Sequence, residues 1–129
     1  MQIKIDPESG VPIYMQLVDR IRQMVATGSL QPGQQLPTMR QLAADLRINY
    51  NTVGRAYLHL EQEGIISTQQ GRGTYVASSL TGEEVERLRV AKLQSMIDQL
   101  LHEAVALGYG EPEIAQNFQD RLHAASQGK

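Results

Sequence analysis

A mainly α-helical fold carrying one small β-hairpin is the class that this 129-residue sequence predicts. Three observations predict it. Apolar residues recur at three- and four-residue steps over most of the chain, and Gly and Pro stand where those stretches end. Two short β-branched runs, Ile65-Ile66-Ser67-Thr68 and Thr74-Tyr75-Val76, flank the glycine-rich Gln69-Gln70-Gly71-Arg72-Gly73. Two helices joined by a tight turn and followed by that hairpin describe a winged helix-turn-helix.

Each element has a local reason. Gln2-Ile3-Lys4-Ile5 alternates polar and apolar and predicts a short edge strand, which Asp6-Pro7-Glu8-Ser9-Gly10 ends. From Pro12 onward, Ile13, Leu17, Ile21, Met24 and Val25 have helical spacing, and Pro12 sits where its missing N–H does no harm. Gly28 is placed for a left-handed cap, and Gln31-Pro32-Gly33 is a turn. Thr38 with Gln41 three residues on is a capping box for a short helix through Leu42, Ala43 and Leu46. Arg47-Ile48-Asn49 interrupts it. Asn49 then caps a third helix through Val53, Ala56, Tyr57 and Leu60, which Gly64 ends. Thr81-Gly82-Glu83-Glu84 is a second capping box, opening a long helix whose apolar positions are Val85, Leu88, Leu93, Ile97, Leu100, Ala104 and Leu107. From Leu93 the steps alternate four and three, the spacing of a bundle or coiled-coil seam. Gly108 and Gly110 break that helix, and Pro112 starts a last one with Ile114, Phe118 and Leu122. The predicted organisation is a winged helix over 1–78 and a two-helix α-helical appendage over 79–129.

Composition narrows the function classes. The absence of Cys removes disulfide frameworks and thiolate metal sites, which fits a reducing cytoplasm. No run of about 18 apolar residues predicts a membrane span, and MQIKIDPESG lacks the apolar stretch of a secretory signal. Residues 1–79 hold seven basic and six acidic side chains, a net of +1, and residues 80–129 hold five and eight, a net of −3. Neither part is basic enough to announce nucleic-acid binding by charge alone, so any such reading must come from placement.

The third predicted helix carries that placement. Between Arg47 and Leu60 stand two arginines and no acid, and the helix opens on Asn49, Tyr50, Asn51 and Thr52. Asn pairs bidentately with adenine, Thr bonds a base edge or touches a thymine methyl, and Tyr reaches a phosphate or stacks. These types belong at the N-terminal end of a recognition helix. The alternative is that Asn49 only caps while Asn51 and Thr52 are solvated. Arg40 opens the preceding helix, the end that faces DNA in this geometry, and Arg55 lies one turn along the third helix within reach of a phosphate, Glu61 or Asp45. Gln70, Gly71, Arg72 and Gly73 form a hairpin tip with free backbone amides and one guanidinium, suited to a minor groove. Catalytic and metal chemistry find no support: His59, His102 and His123 fall on different helices without ligand spacing. Glu83, Glu84 and Glu86 are explained by the helix dipole. No cofactor is expected. The competing class is a winged helix used as a protein-interaction module without specific DNA binding.

Residues 12–76 resemble the DNA-binding domain of GntR-type bacterial transcription regulators. The resemblance is carried by Pro12-Ile13-Tyr14, Gly33, Leu36-Pro37-Thr38 with Arg40, Leu42-Ala43, Asn51-Thr52-Val53, Ala56-Tyr57, Leu60, Gly64 and Gly71-Arg72-Gly73-Thr74. Tyr50 and Gly54 depart from the Arg found there in many members. The wording around Asn49–Tyr57, with a short C-terminal part following, is similar to the YtrA-type branch. The resemblance implies a cytoplasmic homodimeric repressor on an inverted-repeat, double-stranded operator. It implies DNA contact at Arg40, Asn49, Asn51, Thr52, Gln70, Gly71 and Arg72, and pairing of subunits through the C-terminal helices. A small-molecule effector, where one acts, would repack residues 80–125 and change the distance between the two recognition helices.

Overall fold

The computed structural model describes residues 1–128. Its elements follow in the order α1 (Ile13–Ala26), α2 (Met39–Leu46), α3 (Tyr50–Gln62), β1 (Ile66–Gln69), β2 (Gly73–Val76), α4 (Gly82–Ala106) and α5 (Glu111–Gln127). The chain forms two compact units, Met1–Val90 and a second beginning at Ala91.

In the first unit α1, α2 and α3 enclose a core of Leu17, Val18, Ile21, Val25, Leu42, Val53, Leu60 and Val76, each almost wholly removed from solvent. The caps form as the sequence requires. Thr38 accepts from the Gln41 N–H at 3.0 Å, and the Gln41 side chain accepts from the Thr38 N–H at 2.9 Å. Gly28, Gly64 and Gly108 adopt φ of 84°, 78° and 93°, so each closes a helix where a side chain would be strained.

The close of α2 uses the same geometry without a glycine. Arg47 has φ 55° and ψ 48°, and the Ile48 N–H reaches the Ala43 carbonyl at 3.1 Å, just as the Ile65 N–H reaches Leu60 after Gly64. A left-handed Arg carries a steric cost that Gly does not. Arg47→Gly is therefore expected to stabilise the protein by about 0.5–1 kcal/mol, the balance of relieved strain and added unfolded-state entropy. Urea unfolding of the two forms measures it.

β1 and β2 pair antiparallel with Ile66 opposite Val76 and Gln69 opposite Gly73. The hairpin starts one residue later than the β-branched run implied. A third strand-like segment joins it. Leu36 N–H donates to Thr74, Gly33 N–H to Val76 and Val76 N–H to Gln34, with an isolated bridge between Gln35 and Tyr75. The sheet edge therefore lies in the loop before α2, where the sequence showed only a turn.

Residues 2–5 form no strand. Ile3 is buried in the core and Ile5 is half-buried against it, so the alternation reflects two apolar anchors on the core, with no partner strand to pair. The following loop is tied by Gln16, whose amide accepts from the Asp6 N–H and donates to the Asp6 carbonyl, both at 2.8 Å.

The first unit runs beyond residue 78 to Val90, because Leu80 and Leu88 rest on the winged-helix core. α4 opens on the expected box. The Thr81 N–H and hydroxyl both donate to the Glu84 carboxylate at 3.0 Å, which holds that carboxyl below its usual range. Among the described residues no helix is long and apolar enough to cross a membrane.

The second unit is built of the rest of α4 and of α5, before which the N-cap Gly110 N–H donates to the Glu113 carboxylate at 3.1 Å. Neither helix contains a buried residue.

Candidate nucleic-acid interface

Two contacts tie α3 to α2 and to the residue that precedes the α2 cap. Tyr57, buried on α3, donates its hydroxyl to the Pro37 carbonyl at 2.7 Å and so fixes the residue before the Thr38 cap. Burial pushes this phenol above its ordinary value, so it remains a neutral donor. Met39 fills the space beside Gly54, its methyl 2.8 Å from where a Cβ would stand. Gly54 thus lets Met39 lie close against α3.

At the N-terminal end of α3, Asn49, Tyr50 and Asn51 are exposed and Thr52 is half-buried. Asn49 does cap: its carboxamide oxygen accepts from the Asn51 N–H at 2.7 Å. That leaves Asn49 with its amide N–H groups free and its oxygen committed. Asn51, one position inside the helix, keeps its whole carboxamide available, with no hydrogen bond among the described residues. The first turn of α3 contains no acid.

Arg40 is exposed in the first turn of α2. At the hairpin tip Gln70, Gly71 and Arg72 are exposed, Gly73 is half-buried, and the turn is closed by Arg72 N–H donating to Gln69 at 2.9 Å. The tip is braced from beneath, because the Arg72 carbonyl accepts from the Gln35 amide at 3.3 Å and the Tyr75 hydroxyl at 3.2 Å. Gly71 has φ 78° and Gly73 φ 124°, so both tip glycines are required by the backbone. The Arg72 N–H is spent on closing the turn, whereas its guanidinium has no protein partner among the described residues.

Electrostatics separate the charges of this unit. Arg22 binds Glu63 at 2.6 Å and Asp19 at 3.1 Å, and His59 stands 3.2 Å from Glu63, joining α1 to the end of α3. Arg40, Arg47, Arg55 and Arg72 have no carboxylate within 4.0 Å among the described residues. Arg55 meets neither Glu61 nor Asp45; its guanidinium carbon lies 3.8 Å from the centroid of the Tyr14 ring. Lys4 and Arg20 are likewise without a carboxylate, so of this near-neutral unit's unpaired cations four, Arg40, Arg47, Arg55 and Arg72, fall on α2, the turn, α3 and the wing. Neither Arg47 nor Tyr14 was expected at the interface from the sequence; the left-handed backbone and the stack draw attention to them.

The residues expected along the subunit seam divide. Leu88 packs against the core of its own unit and Val85 is half-buried, whereas Leu93, Ile97, Leu100 and Leu107 are exposed and Ala104 is half-buried. Met96, Leu101 and Val105 are exposed beside them, outside the four-and-three spacing. Among the described residues no group of three His, Cys, Asp or Glu could hold a metal ion.

The model of the bacterial regulatory proteins of the gntR family matches residues 13–76, from the first residue of α1 to the last of β2. The chain is 39% identical to the HTH-type transcriptional repressor YtrA of Bacillus subtilis over 102 residues, 79% of this chain and 78% of the relative. Its fold is similar to that of a GntR family transcriptional regulator from Listeria monocytogenes, with a TM-score of 0.73, 29% identity and coverage of 88% and 97% of the two chains. The AraR DNA-binding domain in complex with an operator matches at a TM-score of 0.53 and 27% identity, over 60% of this chain and 99% of that one. With its helix-turn-helix, braced wing and matching relatives, the chain belongs to the GntR family of bacterial regulatory proteins and is a DNA-binding transcription regulator.

Proposed function

We propose that this regulator is a cytoplasmic homodimeric repressor that reads an inverted-repeat operator. Residues 1–78 supply the DNA-binding domain and residues 79–129 the dimerisation appendage. Asn49, Tyr50, Asn51, Thr52 and Arg55 enter the major groove, Arg40 anchors beside them, and Gln70, Gly71, Arg72 and Gly73 reach the adjacent minor groove. The observation that carries this reading is an open Asn51 at the N-terminus of α3, with Arg55 one turn along the same helix and Arg40 in the first turn of α2 both exposed and without a carboxylate partner. The operator-bound AraR domain supports it, being built on a similar fold. A dimer doubles the phosphate contacts of a unit that carries little net charge, and the counterions released with them. A small-molecule effector, where one acts, does so by repacking residues 80–125.

Fluorescence anisotropy of the full chain with DNA from upstream of its own gene, against a scrambled duplex at about 0.15 M salt, tests it. Binding at least ~10³-fold tighter to the native duplex is the expected result. Equal, weak binding to both duplexes would remove the claim of an operator there.

A further inference from the structure

We propose that Tyr14 is a positioning residue for DNA binding: its ring is the platform that aims the Arg55 guanidinium at a phosphate beside the groove entered by α3. The proposal rests on α3 being the recognition helix.

The geometry is specific. Arg55 Cζ stands 3.8 Å from the centroid of Tyr14, the separation of a guanidinium lying on an aromatic face. Arg55 follows Asn51 by one helical turn, so the two share a face, and a helix that presents Asn51 to bases presents Arg55 next along the same groove. The arginine is exposed and has neither a carboxylate nor a hydrogen-bond partner among the described residues, so its donors serve no contact within the protein. Tyr14, the second residue of α1, is half-buried and packs against the core, which fixes the plane of its ring.

Stacking does two things for such an arginine. It restricts a side chain that otherwise loses much rotamer freedom on binding. It also leaves the edge of the guanidinium open, and the edge carries the donors that match a phosphate bidentately. Neither α1 nor α3 has an acid in its first turn to repel that phosphate. α1 thereby joins the interface through a residue that need not touch DNA.

The test is a salt titration of binding to a fluorescein-labelled duplex of mixed sequence, since a phosphate contact acts on any sequence. Arg55→Ala is expected to lower the log–log salt slope by about 1 per subunit and to weaken binding about tenfold. Tyr14→Leu should weaken binding about two- to fivefold and have no further effect when Arg55 is already Ala. Tyr14→Phe, which keeps the ring, should bind as the parent does. Arg55→Lys, which keeps the charge without the planar stack, should retain the slope and match the loss of Tyr14→Leu. Thermal melts check folding, and Tyr14→Phe with Arg55→Lys decides the matter if Tyr14→Leu does not fold. An unchanged slope in Arg55→Ala, additive losses in the double variant, or full loss in Tyr14→Phe would overturn the proposal and leave the recognition helix standing. A parent protein with no salt-dependent affinity for duplex DNA would overturn both.

Discussion

Arg40→Ala and Asn51→Ala are each expected to release repression in a reporter assay and to weaken operator binding by roughly 5- to 150-fold per half-site, about 1–3 kcal/mol. The two should differ in kind. Asn51 stands inside the first turn of α3 with its carboxamide free, so its loss should relax sequence preference at one base pair of each half-site while the salt slope stays fixed. Arg40 opens α2 as an exposed cation without a carboxylate, so its loss should weaken specific and scrambled duplexes together and lower the slope by about 1 per subunit. Neither side chain is buried, so unfolding free energies should stay within about 0.5 kcal/mol of the parent. Asn49→Ala is the instructive contrast. Its oxygen holds the Asn51 N–H at 2.7 Å, so this substitution should cost about 1 kcal/mol of stability and reduce binding through the helix start. Normal repression by both Arg40→Ala and Asn51→Ala would remove the proposed contacts.

What the sequence made legible was local. The boxes Thr38–Gln41 and Thr81–Glu84 and the Asn49 cap are readable because donor and acceptor lie two or three residues apart, and all three form. Gly28, Gly64 and Gly108 are readable because few other residues take a left-handed φ without strain. Contacts between distant segments left no such trace. Nothing in Gly33–Leu36 announces that it pairs with β2, since the pairing depends on where the helices deliver the two strands. The stack of Arg55 on Tyr14 is equally hidden, and charge patterning pointed instead to Glu61 or Asp45. Gln2–Ile5 misled for a related reason: a period of two marks which residues are buried, but a strand also needs a neighbour, and here Ile3 joins the core with no strand pairing beside it. The long seam of α4 looked continuous, whereas Leu88 is claimed by its own winged helix and the exposed residues lie beyond it.

The largest effect on assembly is expected from Ile97→Glu combined with Leu100→Glu. The second unit buries no residue, yet exposes Leu93, Met96, Ile97, Leu100, Leu101 and Val105 on α4 and Phe118 and Leu122 on α5. Leu107 is 77% exposed and Leu93 57%. A patch this rich in large apolar side chains is rare on a monomer and signals association. A largely apolar cleft of ≈ 550 Å³, whose lining includes Ile97, Leu100, Leu101, Phe118 and the carboxylate of Glu111, is where we propose that side chains of a second copy insert. In a two-fold symmetric interface each substitution occurs twice, so the pair brings four carboxylates into an apolar contact. Burying even one unpaired charge costs several kcal/mol, so the dimer should dissociate by a factor above ~10³. Sedimentation at micromolar concentration should then show a monomer. Operator affinity should fall at least ~10²-fold as one half-site's phosphate contacts are lost. The winged helix should be untouched, because its core lies in the first unit and none of the altered side chains contributes to it. A parent that sediments as a monomer, or a variant that stays dimeric, would place the subunit contact elsewhere and leave this apolar surface without its proposed role.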